Sequence, residues 1–206
     1  MNQFDKAASA WDRQRRLERA KVFASAIREA LPPTIDGVRG LEYGCGTGAL
    51  GLELQDQFRS LLLVDSSAGM IEQVETKLEE LNGPKVSALQ WDLAERPLPD
   101  TEVDVVFSTL AFHHIHDLQT VLENIWGLLP VGGRLLAIDM DQDGGFWHQN
   151  FEGFNGHHGF DRDELSKWCR EARFRVHSVE TVYSQTKTVD DETRQIPLFL
   201  LKAEAI

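Results

Sequence analysis

The spacing of apolar residues changes character along the chain. Ala20, Phe23, Ala24, Ile27 and Leu31 recur three and four residues apart, with Arg15, Arg16, Arg19 and Arg28 between them, as on a helix with one buried stripe. The pattern predicts a helical segment over residues 4–31, interrupted near Asp12 and stopped by Pro32 and Pro33, whose rings cannot continue a helix. After Gly40 short apolar runs alternate with amphipathic stretches. Runs at 38–43, 61–64, 86–90, 103–107 and 135–140 read as strands, and residues 49–57, 68–81 and 118–129 as helices. Residues 61–64 are apolar without alternation, as expected of a parallel strand covered on both faces. In the last helix Leu118, Val121, Leu122, Ile125 and Leu129 form one stripe. Alternation of this kind predicts an α/β fold, a doubly wound and mostly parallel sheet.

The rhythm breaks near Asp141. Residues 141–160 are rich in Gly, His and aromatics without a clean period and read as a loop or lid. Asp161 and Glu164 have capping-box spacing, with Asp in place of the usual Ser or Thr, and predict a helix to about Ala172. Two further β-like runs, 175–183 and 198–202, flank the polar stretch 184–195. No helical period lies between them, so they should pair antiparallel and bring the sheet to seven strands. No repeat or long linker divides the chain, which reads as one domain over residues 1–206.

Charge narrows the function. The 206 residues carry a net charge of −12, distributed as +3 over residues 1–40 and −15 over the remainder. A body that acidic repels phosphate backbones, so nucleic acid is not an expected partner. Two cysteines, Cys45 and Cys169, are too few for a disulfide framework and have no metal-ligand spacing. The N-terminus lacks the apolar core of a secretory signal, and no apolar run reaches the ~20 residues of a membrane span. The expectation is a cytoplasmic protein without a membrane partner.

The most informative segment is Glu42-Tyr43-Gly44-Cys45-Gly46-Thr47-Gly48-Ala49, directly after the first strand and opening a helix. Glycines there turn the chain tightly and let a ligand lie against bare backbone near a helix N-terminus. Gly44, Gly46 and Ala49 also satisfy the dinucleotide form of this turn, so alone it implies only a nucleotide-like ligand. Three acids sharpen the reading. Glu42 would face a cationic part of the ligand, Asp65 at the end of the second strand would accept from ribose hydroxyls, and Asp92 after the third could take an adenine amino group.

Glu-x-Gly-x-Gly-x-Gly, then Asp65, then Asp92-Leu93 resembles the class I S-adenosylmethionine-dependent methyltransferases, over residues 38–140 and, with the closing strand pair, to about 204. The resemblance implies a Rossmann-like methyltransferase fold with an antiparallel C-terminal strand and a helical cover over residues 1–33. It also implies S-adenosylmethionine as cofactor and methyl transfer to a small-molecule acceptor. Position by position, Gly44 and Gly46 would approach the methionine part and Glu42 its ammonium. Asp65 would bind ribose, with Ser66 beside it, and Asp92 with the Leu93 backbone would read adenine. Ser108 and Thr109 would line the methionyl side. The opening Phe4-Asp5-x-x-Ala8-x-x-Trp11-Asp12 and Phe112-His113-His114-Ile115 are similar to small-molecule enzymes of the quinone-biosynthesis type.

His113 and His114 follow the fourth strand, where the acceptor should sit, and are the candidate general bases. His113, His114, His116, His148, His157 and His158 lack metalloprotein spacing, so no metal is expected. Phe146, Trp147, Phe151, Phe154 and Phe160 are either lid core or an aromatic acceptor wall. Arg13 and Arg16 are solvated helix charges or clamps for a carboxylate. A nicotinamide-dependent oxidoreductase and a non-catalytic S-adenosylmethionine-binding module are the competing readings.

Overall fold

A computed structural model describes residues 4–5, 8, 14–31, 38–80, 85–151 and 153–206. Its elements are α1 (Gln14–Ala30), β1 (Arg39–Tyr43), α2 (Ala49–Leu54), β2 (Ser60–Asp65), α3 (Ala68–Glu80), β3 (Val86–Gln90), β4 (Val105–Thr109), α4 (Leu118–Leu128), β5 (Arg134–Met140), α5 (Arg162–Glu171), β6 (Phe174–Val189) and β7 (Glu192–Ala205). Single 3-10 turns lie at Gln55–Gln57, Phe112–His114 and Phe146–His148. The expected interruption at Asp12 and the stop at Pro32 and Pro33 fall outside the described residues.

The seven strands form one sheet in the order β3-β2-β1-β4-β5-β7-β6. The first five pair in parallel, and β7 runs antiparallel between β5 and β6. Strand pleat divides the core into two layers. Leu41, Val106, Leu135 and Ala137 pack against the stripe Leu118, Val121, Leu122 and Ile125 of α4 and against Leu165 and Cys169 of α5. Leu61, Leu63, Val105, Phe107, Leu136 and Ile138 face Phe23, Ala24 and Ile27 of α1, Leu50 and Leu54 of α2, and Ile71 and Val74 of α3. Helices therefore cover both faces. Parallel strands buried in this way carry apolar side chains on both sides, which is why 61–64 shows no alternation.

The parallel half matches the expected elements to within a few residues. The tail differs. The stretch 184–195 does not separate two short strands but continues them, and β6 and β7 form one hairpin paired from Phe174↔Ala205 to Val189↔Glu192. Its turn is Asp190-Asp191, both in the left-handed region at φ 47° and 66°. Two-residue turns with that geometry match the twist of the strands they join. Beyond the sheet proper the hairpin still buries Val189 and Ile196 in the layer that holds α1.

Residues 141–160 are tied down at several points. Asp141 bridges to Phe160, and Arg162 grips the Asp141 carboxylate through Nε and Nη2 at 2.7 and 2.8 Å. Asp143 accepts from the backbone N–H groups of Gly145 and Trp147 at 2.8 and 2.6 Å, which starts the 3-10 turn at Phe146–His148. Asp161 caps α5 by accepting from Asp163 and Glu164.

Candidate active site

The glycine turn follows β1 at the C-terminal edge of the parallel strands, beside the point where strand order reverses between β1 and β4. Open α/β sheets form a crevice there. Gly44 and Gly46 have φ of 71° and 54°, a region that other residues enter only with strain. At Gly44 a side chain would also strike Ala111, so the turn and the loop after β4 approach along bare backbone. Leu110, at φ 51°, bends that loop, and its N–H donates to Ile138 O at 2.8 Å.

These edges enclose a cavity of about 670 Å³. Glu42, Gly44, Gly46, Asp65, Ser66, Asp92 and Thr109 line it. Phe4, the α1 residues Arg16, Arg19 and Phe23, and Phe154 and His114 line it as well. Acids from the acidic body of the chain and arginines from its basic N-terminal part thus line the same cavity.

Each acid is held differently. Asp65 accepts from Gly46 N–H at 2.8 Å through one oxygen and from Ser67 N–H at 2.9 Å through the other, so the carboxylate braces the glycine turn as well as facing the cavity. Burial is the main cause that raises its pKa, against the pull of those two N–H groups. Asp92 accepts from Ala94 N–H at 2.8 Å and from the Tyr43 hydroxyl at 3.3 Å. Glu42 is 1% exposed, and its Oε2 has no hydrogen-bond partner among the described residues. Burial drives its pKa well above the usual carboxylate range; the Gly51 N–H opposes the shift and nearby Asp65 adds to it.

Other expected site residues lie behind the wall. Leu93 is fully buried, and its carbonyl accepts from Asn124 Nδ2 at 2.7 Å. Ser108 is buried with its hydroxyl donating to Tyr43 O at 2.8 Å, which ties β4 to β1. His113 is also buried, its Nδ1 at 2.7 Å from Asp139 Oδ1 on β5 and its backbone N–H at 3.3 Å from Oδ2. Of the two candidate bases only His114 reaches the cavity. Burial, followed by the neighbouring His113 and His148, lowers its pKa to about 2, far from the value that suits a proton acceptor near neutral pH.

Several contributors were given no role in the site by the sequence. Tyr43 fills the variable position after Glu42 and positions Asp92. Asp5 accepts from the Ser67 hydroxyl at 2.6 Å and from Gly69 N–H at 3.2 Å, docking the N-terminal segment onto the start of α3. Phe4 then meets the His114 ring edge-on at 5.0 Å. Asp139 had a signal in the sequence, a lone acid inside the apolar run 135–140, which a buried strand tolerates only with a partner. The histidine positions, scattered along the sequence, converge in space. Ring nitrogens of His113, His114 and His148 lie within 4.8 Å of one another. Trp11, Asp12 and Arg13 lie outside the described residues.

Residues 41–133 match the family model described as a methyltransferase domain. An uncharacterized methyltransferase of Schizosaccharomyces pombe is 31% identical over 121 residues, covering 55% of this chain and 43% of the relative. A malonyl-[acyl-carrier protein] O-methyltransferase of Bacillus cereus is 26% identical over 207 residues, covering 90% of this chain and 73% of the relative. A SAM-dependent methyltransferase from Aquifex aeolicus superposes with a TM-score of 0.74 at 20% identity, covering 98% of both chains. The chain spans less than two thirds of the length of the curated relatives it matches at about 30% identity. The matched stretch includes the end of β1, the glycine turn, Asp65 and Asp92, and over it the chain is similar to the S-adenosylmethionine-dependent methyltransferases.

Proposed function

We propose that this protein transfers a methyl group from S-adenosylmethionine to a small-molecule acceptor. The observation that carries the reading is Glu42. A buried carboxylate with an unpartnered oxygen is costly, and at a cavity wall beside a glycine turn it calls for a cationic ligand. The cofactor's α-ammonium meets that requirement. Asp65 and Asp92 then offer acceptors to its hydroxyls and amino group, and Gly44 and Gly46 let it lie against backbone. A volume of about 670 Å³ falls in the range of small-molecule sites.

Bound S-adenosylmethionine supplies an activated methyl group on a sulfonium. What the chain contributes is position and exclusion of water. The acids would hold the cofactor, while Phe4, Phe23 and Phe154 add an apolar wall to the same cavity. Arg16 and Arg19 on that wall favour an acceptor with an apolar body and an acidic group. The name of the Bacillus cereus relative, a malonyl-[acyl-carrier protein] O-methyltransferase, is in keeping with an acidic acceptor group, there carried on a protein. In this reading His114 contacts the acceptor, whereas His113, held by Asp139, supports it from behind.

Calorimetry with S-adenosylhomocysteine and with NADH separates this reading from an oxidoreductase. Saturable binding of the first and none of the second is expected; the reverse result overturns the proposal. Labelled methyl donor with a panel of small organic acids then tests transfer. Tight cofactor binding with no labelled product across carboxylic, phenolic, thiol and amine acceptors would instead favour a binding module.

A further inference from the structure

We propose that His113, His114 and His148 form a binding site for a divalent transition-metal ion of the zinc class, set against the acceptor end of the cavity. One ring nitrogen from each lies within 4.8 Å of the others, although the residues come from the turn after β4 and from the 3-10 turn after β5. Tetrahedral zinc with imidazole nitrogens at about 2.0–2.1 Å needs them roughly 3.3 Å apart, so small ring rotations close the site.

Two further observations point to a ligand. His148 is 2% exposed, yet neither ring nitrogen has a hydrogen-bond partner among the described residues. Its ring is stacked on Phe154 at 3.9 Å and 6°, which fixes its plane while leaving both nitrogens unused. The second observation concerns Asp139, itself 1% exposed, which holds Nδ1 of His113 at 2.7 Å. That contact leaves Nε2 of His113 as the available donor. Carboxylate–imidazole pairs behind a metal ligand fix the ring and its tautomer and strengthen its donation. A packing role for three imidazoles does not explain the unused nitrogens of His148.

The donor set selects the ion. Imidazole nitrogens suit zinc, copper, iron and nickel, whereas magnesium and calcium require oxygen ligands. Three imidazoles leave a coordination position open. His114 and Phe154 belong both to the cluster and to the cavity wall, so a Lewis acid here stands where it can polarise an oxygen of the acceptor.

The test uses tag-free protein stripped with a chelator and titrated with ZnCl2 by calorimetry, with MgCl2 as the comparison. One zinc per chain is expected, bound at least 100-fold tighter than magnesium. His148→Phe, which keeps the stack on Phe154, should lose at least 100-fold in affinity, and Asp139→Asn about 10-fold. The absence of stoichiometric zinc binding, equal affinity for magnesium, or zinc affinity unmoved in His148→Phe would each overturn the site. If the variants fail to fold, the wild type decides: cobalt substitution should give intense tetrahedral visible bands, and X-ray absorption of the zinc form should give three imidazole ligands. Weak octahedral bands or fewer than two imidazoles would refute it. Affinity for S-adenosylhomocysteine, measured on the same stripped protein, reports separately on the cofactor reading.

Discussion

Glu42 sits on a buried strand where an ionised carboxylate is disfavoured, and its pKa is raised chiefly for that reason. A raised value in the folded protein means that ligand-free stability falls as pH climbs from the ordinary 4.5 through the shifted value. A cationic ligand reverses the balance, so binding should expel a proton from Glu42. Affinity for S-adenosylhomocysteine should therefore rise with pH, by up to about tenfold per unit for one proton, until Glu42 is ionised in the free protein. Calorimetry below pH 7 in buffers of different ionisation enthalpy counts that proton. Glu42→Gln should abolish the release and weaken binding at least tenfold, and an unchanged proton count would remove Glu42 from the site. The acid and its place before the glycines are visible in the sequence. Its orphaned oxygen is not, because only the packing of Gly51 and Leu63 around it removes water.

At the scale of elements, the parallel strands and their helices follow the hydrophobic pattern closely, since each burial stripe is a local periodicity. The long β6–β7 hairpin does not. Its outer half, Thr186, Thr188 and Thr193 among charged residues, is polar because most of it faces solvent, and only the alternation of β-branched residues around Asp190-Asp191 betrays it. Thr188 and Thr193 pair across the strands at 2.9 Å between hydroxyls. Two aspartates at positive φ are strained and lie side by side in charge. Replacing Asp190-Asp191 with Asn-Gly, the pair that prefers this turn, should stabilise the protein by about 1 kcal/mol, or roughly 2–4 °C in Tm. A lower Tm on thermal unfolding would mean that the aspartates serve the turn in another way. The extension matters to the site because its Gln185 accepts from Arg19, a residue of the cavity wall, at 3.3 Å.

Across the whole molecule the cavity joins parts that are distant in the chain: the N-terminal Phe4, helix α1, the crest of the parallel sheet and the loop carrying Phe154. A ligand bridging them should stabilise all of them together. S-adenosylhomocysteine at 100 times its Kd should add about 2.7 kcal/mol, some 5–10 °C in Tm, while NADH leaves Tm unchanged. Among the described residues no helix is long and apolar enough to cross a membrane. By itself the sequence determined the α/β class, the strand and helix order of the parallel half, the glycine turn and the three acids around it. Those features are local, for periodicity reports burial and a tight turn needs its own glycines. Tertiary structure alone decided that His113 withdraws behind the wall while His114 faces the cavity, that Asp5 docks on α3, and that His148 joins His113 and His114 over Asp139. Contacts between residues dozens of positions apart leave no period and no spacing in the chain; they exist only once the sheet has fixed where its loops end.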